Sequence, residues 1–156
     1  MSKKKKIMFV CLGNICRSPM AEFIFKKICA DNGGDFEAAS SGTSSEEYGN
    51  PVYPPAAAIL ARHSISCRGK RAVQFTAKDY DDYDYIVCME SRHIRSLERM
   101  LGGDPRHRIY RLLDFTDNPR DIADPWYTGD FETAYNEIYE GCHALYEHLT
   151  GEETSK

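Results

Sequence analysis

The segment Cys11-Leu12-Gly13-Asn14-Ile15-Cys16-Arg17-Ser18-Pro19 places a thiol, a guanidinium and a hydroxyl around one glycine-bearing turn. Gly13 permits positive φ, so successive backbone N–H groups can converge on one point. A helix beginning beyond Ser18 adds the positive end of its dipole. A dianion of phosphate size suits such a nest. Cys11 faces the same field, which favours thiolate over thiol and makes the sulfur a nucleophile. Arg17 can return across the turn and grip two oxygens through its planar fork, a geometry lysine lacks. Ser18 can donate its hydroxyl to the thiolate. A cysteine at a strand end also serves simply as packing, and Cys-x5-Arg recurs by chance. What distinguishes this instance is its setting: a strand before, a glycine within, a helix start after, and a positive neighbourhood.

The nest works only if a strand delivers the cysteine and a helix leads away. Lys6 to Cys11 is an apolar run without alternation, the pattern of a strand buried on both faces of a parallel sheet. Ser18 reads as a helix N-cap with Pro19 at the first helical position. Met20, Ala21, Ile24 and Ile28 then recur at helical spacing up to Gly33-Gly34. The alternation continues with Phe36 to Ser41 as strand, Pro55 to His63 as helix, Asp84 to Met89 as strand, Ser91 to Leu101 as helix and Arg108 to Leu112 as strand. A closing helix carries Phe131, Ala134, Ile138, Cys142, Leu145 and Leu149 along one stripe. The order predicts one α/β domain over residues 1–156: an open, mostly parallel four-stranded sheet, helices on both faces, flavodoxin-like. Ligands in such a fold bind where strands end. Residues 1–5 and 151–156 read as frayed ends.

Composition narrows the function. The 156 residues, 42% hydrophobic and 28% charged, suit one domain, and a net charge of −4 argues against a general nucleic-acid binder. Local charge is uneven. Residues 1–29 hold seven bases against Glu22 alone, whereas residues 121–156 hold nine acids against Lys156. No apolar run approaches the roughly 20 residues of a membrane span, and Ile7 to Leu12 is too short for a signal peptide's apolar region. Six cysteines without a C-x-x-C pair point to reduced thiols in the cytoplasm. Asp79, Asp81, Asp82 and Asp84 alternate with tyrosines and lack a histidine cluster. His143 and His148 lie five apart rather than at i, i+4, so no metal site is expected.

Val10 to Glu22, together with Gly49-Asn50-Pro51, Asp84 to Met89 and Asp124-Pro125-Trp126-Tyr127, resembles the low-molecular-weight protein tyrosine phosphatases over nearly the whole chain. The resemblance implies that Cys11 is the nucleophile and Arg17 the phosphate-binding arginine. It makes Asn14 the brace of the loop, Ser18 the thiolate's partner and Asp124 the general acid. Leu12, Gly13, Ile15 and Cys16 would complete the phosphate-binding loop, and Trp126 and Tyr127 one aromatic wall. The implied reaction is hydrolysis of phosphotyrosine in proteins, and of small aryl phosphates, through a phosphocysteine, with neither metal nor cofactor. Tyrosine-phosphorylated proteins would be the partners. Cys16 would trap an oxidised Cys11 as a disulfide, or simply pack beneath the loop. Independently, Pro125 holds Asp124 out of a helix and in a loop, where it can enter a site or merely open a turn.

Two departures bear on the cleft. Where the family often has a histidine after the second helix, this chain has Arg68-Gly69-Lys70-Arg71, with Lys70 nearest. Glu46 and Glu47 stand near the usual place of a substrate-facing aromatic, beside Tyr48. Three other readings share the loop. An arsenate reductase needs two further clustered cysteines, and here only Cys88 lies near Met89. A protein-arginine phosphatase resembles its relatives in carrying threonine where this chain has Ile15. A non-catalytic phosphoanion-binding module would need neither Cys11 nor Asp124.

Overall fold

The computed structural model describes residues 4–154. The chain runs β1 (Lys5–Cys11), α1 (Arg17–Asn32), β2 (Phe36–Gly42), α2 (Pro54–Arg62), α3 (Ala77–Asp82), β3 (Tyr85–Cys88), α4 (Ser91–Leu101) and β4 (Ile109–Arg111). A 3-10 turn over Leu112–Phe115 follows, then α5 (Pro125–Thr128) and α6 (Phe131–Thr154). The strands form one parallel sheet in the order β2-β1-β3-β4.

Because β1 is central, its alternate residues meet two different cores. Ile7, Phe9 and Cys11 pack with residues of α1, α2 and α6, while Met8 and Val10 pack with Phe75, Tyr80 of α3 and Leu97 of α4. Both faces being covered, β1 has no polar side, which explains the unbroken apolar run. From β1 the chain goes first to β2 on one side, then crosses to β3 on the other. The C-terminal ends of β1 and β3 therefore bound a topological switch point, where open α/β sheets leave a crevice.

Several local expectations are corrected. Ser18 does not cap α1: the helix begins at Arg17, behind a Cys16 that makes no side-chain cap, and Pro19 is its third residue. Ser18's hydroxyl is taken by tertiary partners instead, and Pro19 is tolerated because the first helical N–H groups have no intrahelical acceptor. Lys4 pairs with Asp35, Lys5 begins β1, and α6 continues through Gly151 to Thr154. The remaining residues of both terminal segments lie outside the described ones. The short α3 was not anticipated, although its capping box, with Thr76 accepting from the Asp79 N–H and Asp79 from the Thr76 N–H, is legible as T-x-x-D.

That aspartate-rich stretch is otherwise consumed by local pairing: Asp82 bonds Lys78, Asp81 pairs with Arg106 and Asp84 accepts the Lys6 N–H. Among the described residues, no three histidines, cysteines or acids are grouped to hold a metal ion, and no helix is long and apolar enough to cross a membrane.

Candidate active site

Cys11 ends β1 with its sulfur turned back under the start of α1. The Ser18 hydroxyl lies 3.0 Å from Cys11 Sγ, and the Ser18 backbone N–H points at the same atom over 3.4 Å. Asn14 Nδ2 donates to Ser18 Oγ at 2.8 Å, orienting that hydroxyl. The left-handed residue of the loop is Asn14 (φ 60°), and Gly13 does not take the positive φ expected of it. Asparagine tolerates that conformation, and here both ends of its amide are engaged: Oδ1 accepts the Val73 N–H at 3.0 Å. Asn14 and Ser18 thus brace the loop from behind rather than line its concave side.

Glycines matter here for close approach. A Cβ on Gly42 would sit 2.6 Å from the Leu12 carbonyl oxygen, so only glycine lets β2 end against the loop. Thr43 and Ser44 then donate their N–H groups to the Cys11 and Leu12 carbonyls. A Cβ on Gly13 would press on the Glu47 side chain at 3.2 Å.

Arg17 is 1% exposed. Its Nη1 donates to Glu90 Oε2 at 2.5 Å and to the Ile122 carbonyl at 2.6 Å, while Nη2 stands 3.3 Å from Asp124 Oδ2. Nη1 is therefore committed to the protein, and a two-oxygen grip would have to use the Nε and Nη2 edge. Burial alone would raise the Glu90 carboxyl. The Arg17 hydrogen bond and charge, with help from Arg92, outweigh it and hold Glu90 below the usual carboxylate range. Glu90, Gly42 and the Ile122 carbonyl were not picked out by sequence reasoning. Only Glu90 carried a signal, its position just past a predicted strand end.

Asp124 caps α5, its Oδ1 accepting the Trp126 N–H at 3.0 Å while Oδ2 faces Arg17. It opens a helix, and its carboxyl also lines the cleft. A cleft opens above the loop, its floor made by Cys11, Leu12, Gly13, Ile15, Cys16 and Arg17. Asp124, Trp126 and Tyr127 form one wall; Ser44, Glu46 and Glu47 form the other. Trp126 rests on Tyr53, ring centroids 4.6 Å apart, and Tyr127 is largely exposed. Tyr48 projects into solvent and is not among the lining residues, so the second wall is acidic. Burial, and then the proximity of Cys11 and Asp124, push the Cys16 thiol up to about 12.

Lys70 lies beneath this assembly. Its Nζ donates to the Ser40 carbonyl at 2.8 Å and stands 3.8 Å from Glu22 Oε1, which also accepts the Ser40 hydroxyl at 2.6 Å. It ties β2 to α1, the two elements between which the loop is suspended.

A family profile described as low molecular weight phosphotyrosine protein phosphatase matches residues 6–155. The chain is similar to the low molecular weight protein-tyrosine-phosphatase YfkJ of Bacillus subtilis, 43% identical over 143 residues that cover 89% of this chain and 92% of that protein. The YfkJ crystal structure superposes with a TM-score of 0.94 at 41% identity, covering 97% and 98% of the two chains. The Drosophila arginine phosphatase DARP is also similar, with a TM-score of 0.84 and 31% identity over 92% and 97% of the chains. With its loop, its arginine and its Asp-Pro-Trp wall set on this sheet, the chain belongs to the low molecular weight phosphotyrosine protein phosphatase family of hydrolases.

Proposed function

We propose that the protein hydrolyses phosphotyrosine in proteins through a phosphocysteine on Cys11. The observation that carries this reading is the convergence of Cys11 Sγ, the Arg17 guanidinium and the Asp124 carboxyl on one cleft, with the Ser18 hydroxyl and N–H on the sulfur. The loop N–H groups and the Nε and Nη2 edge of Arg17 hold the phosphoryl oxygens. The Cys11 thiolate attacks phosphorus, the P–S bond forms and the P–O bond to the phenol breaks. Asp124 passes its proton to the departing oxygen. Ionised Asp124 then takes a proton from water, which attacks phosphorus, breaks the P–S bond and restores the thiolate. Negative charge on the phosphoryl group is met throughout by Arg17 and backbone donors, so the residues present supply the stabilisation themselves.

Turnover of p-nitrophenyl phosphate and of a phosphotyrosine peptide, with and without chelator, tests this. Equal rates are expected. Activity lost to chelator and restored by a divalent ion would displace the mechanism.

The likeness to an arginine phosphatase supports a second reading, hydrolysis of phosphoarginine on the same loop. Ile15, an apolar part of the floor where threonine would offer a hydroxyl, favours the aryl ester. Phosphotyrosine and phosphoarginine peptides assayed side by side separate the two.

Cys16 shares the floor with Cys11, which supports a redox role. Peroxide converts the Cys11 thiolate to a sulfenic acid. Attack by Cys16 sulfur forms the S–S bond, and the hydroxyl leaves as water with the Cys16 proton. Reductant should restore activity after mild peroxide, and Cys16→Ser should suffer more irreversible loss. Equal recovery in both proteins removes Cys16 from the role.

A further inference from the structure

Glu90 holds Arg17, and something must hold Glu90. It precedes α4 in an extended conformation (φ −140°, ψ 155°), where its backbone N–H needs an acceptor. That acceptor is His93 Nδ1 at 3.2 Å, while the His93 N–H donates back to the Glu90 carbonyl at 3.1 Å. The side chain is 2% exposed, and its Nε2 has no hydrogen-bond partner, lying 3.8 Å from the same Glu90 oxygen that Arg17 grips.

We propose that His93 is a positioning residue for Arg17: as a neutral cap it fixes the backbone of Glu90, so that the Glu90 carboxylate holds Nη1 of the guanidinium in place. The inference rests on the reading that Arg17 binds the phosphoryl group.

The ring must be neutral to do this, because Nδ1 can accept only without a proton. Burial, reinforced by Arg17 of α1 and by Arg92, pushes the His93 pKa down to about 4 against the opposing pull of Glu90 and of Asp121 from the loop before α5. An imidazolium would lose the cap and also compete with Arg17 for Glu90 Oε2. The usual residue at this capping position, glutamate, would place a second carboxylate beside Arg17; a neutral ring caps without adding charge. Asp124 already stands 3.3 Å from Nη2. Were Glu90 released, nothing would hold Nη1 against the pull of that second carboxylate, and the guanidinium would shift toward the proton donor.

The test compares His93→Gln, which keeps a neutral acceptor, with His93→Leu, which keeps bulk alone, and with His93→Glu. KM and kcat for p-nitrophenyl phosphate and the inhibition constant of inorganic phosphate are read for each. His93→Leu should raise KM and the phosphate constant about tenfold, the scale of a lost buried hydrogen bond, with a smaller change in kcat; His93→Gln should stay within about twofold of wild type. A variant harmed only in folding would lose active fraction, lowering apparent kcat while leaving both constants alone, and that result overturns the proposal, as does His93→Gln matching His93→Leu. If His93→Leu does not fold, the Glu and Gln variants decide: weaker phosphate binding by His93→Glu supports the proposal, and equal binding overturns it. Wild-type protein inert toward aryl phosphates would remove the catalytic reading instead, while phosphate affinity by calorimetry would still rank the variants.

Discussion

The floor and the walls of the cleft are built on opposite plans. In and beneath the floor, Arg17, Asn14 and Ser18 are each at most 1% exposed, and the Asn14 amide, the Ser18 hydroxyl and Arg17 Nη1 each meet specified atoms. On the walls, Trp126 is 49% and Tyr127 75% exposed, and Glu46 faces solvent. A buried, fully paired network tolerates almost no displacement, since any orphaned polar group costs about 1–3 kcal/mol. Exposed aromatics and carboxylates exchange partners with water at little cost. On the proposed mechanism, the difference separates chemistry, which the floor would perform in one geometry, from recognition, which the walls can vary. Asp124 belongs to both, its carboxyl touching Arg17 while its backbone opens the aromatic wall.

The strongest test of this division is Cys11→Ser. Turnover of p-nitrophenyl phosphate should fall by at least about 10⁴-fold, whereas phosphate affinity by calorimetry should stay within a few-fold, because donors and Arg17 remain. Near-normal rates would exclude covalent catalysis. Asp124→Ala should slow phosphotyrosine hydrolysis by about 10²–10⁴, with a much smaller loss on activated aryl phosphates whose leaving groups need no proton. Loss that is uniform across a series of leaving groups would make Asp124 structural. Asp121, bonded to Ser91 and Arg111, and Asp130, bonded to Thr133, do not line the cleft.

Acid should reach the floor through His93. Its folded pKa of about 4 lies below the ordinary 6.5, so the unfolded chain binds the extra proton first as pH falls. The stability His93 contributes is whole above about pH 6.5 and is lost as pH falls toward 4, on the order of 3 kcal/mol in all. Urea unfolding at pH 7 and pH 4 should show a steeper drop in wild type than in His93→Gln; parallel drops would mean the ring is not buried neutral. The smallest effect belongs to the wall. Trp126→Ala should raise KM for a phosphotyrosine peptide by roughly 2- to 10-fold, the scale of an aromatic contact, and leave kcat nearly unchanged. A large kcat effect would move Trp126 to the floor.

What could be read along the chain was what neighbours in sequence decide. The apolar run of β1, the stripe of α6 and the eight residues from Cys11 to Ser18 carry their meaning in spacing, because strand and helix periods are short. The Asp-Pro step placed Asp124 outside a regular helix through its own backbone sterics. Even locally, two assignments failed where a distant group intervened. Val73, 59 residues from Asn14, holds the asparagine that takes the left-handed turn in place of Gly13. The Ser41 carbonyl and the Cys11 thiol claim the hydroxyl that would otherwise cap α1.

Arg17 marks the boundary. Its type and its distance from Cys11 announce an anion site, yet its direction is set by Glu90, 73 residues on, and by the Ile122 carbonyl, 105 residues on. No periodicity links such positions. They meet because a parallel sheet brings the ends of β1 and β3 side by side, and because a buried guanidinium must find acceptors wherever the fold supplies them.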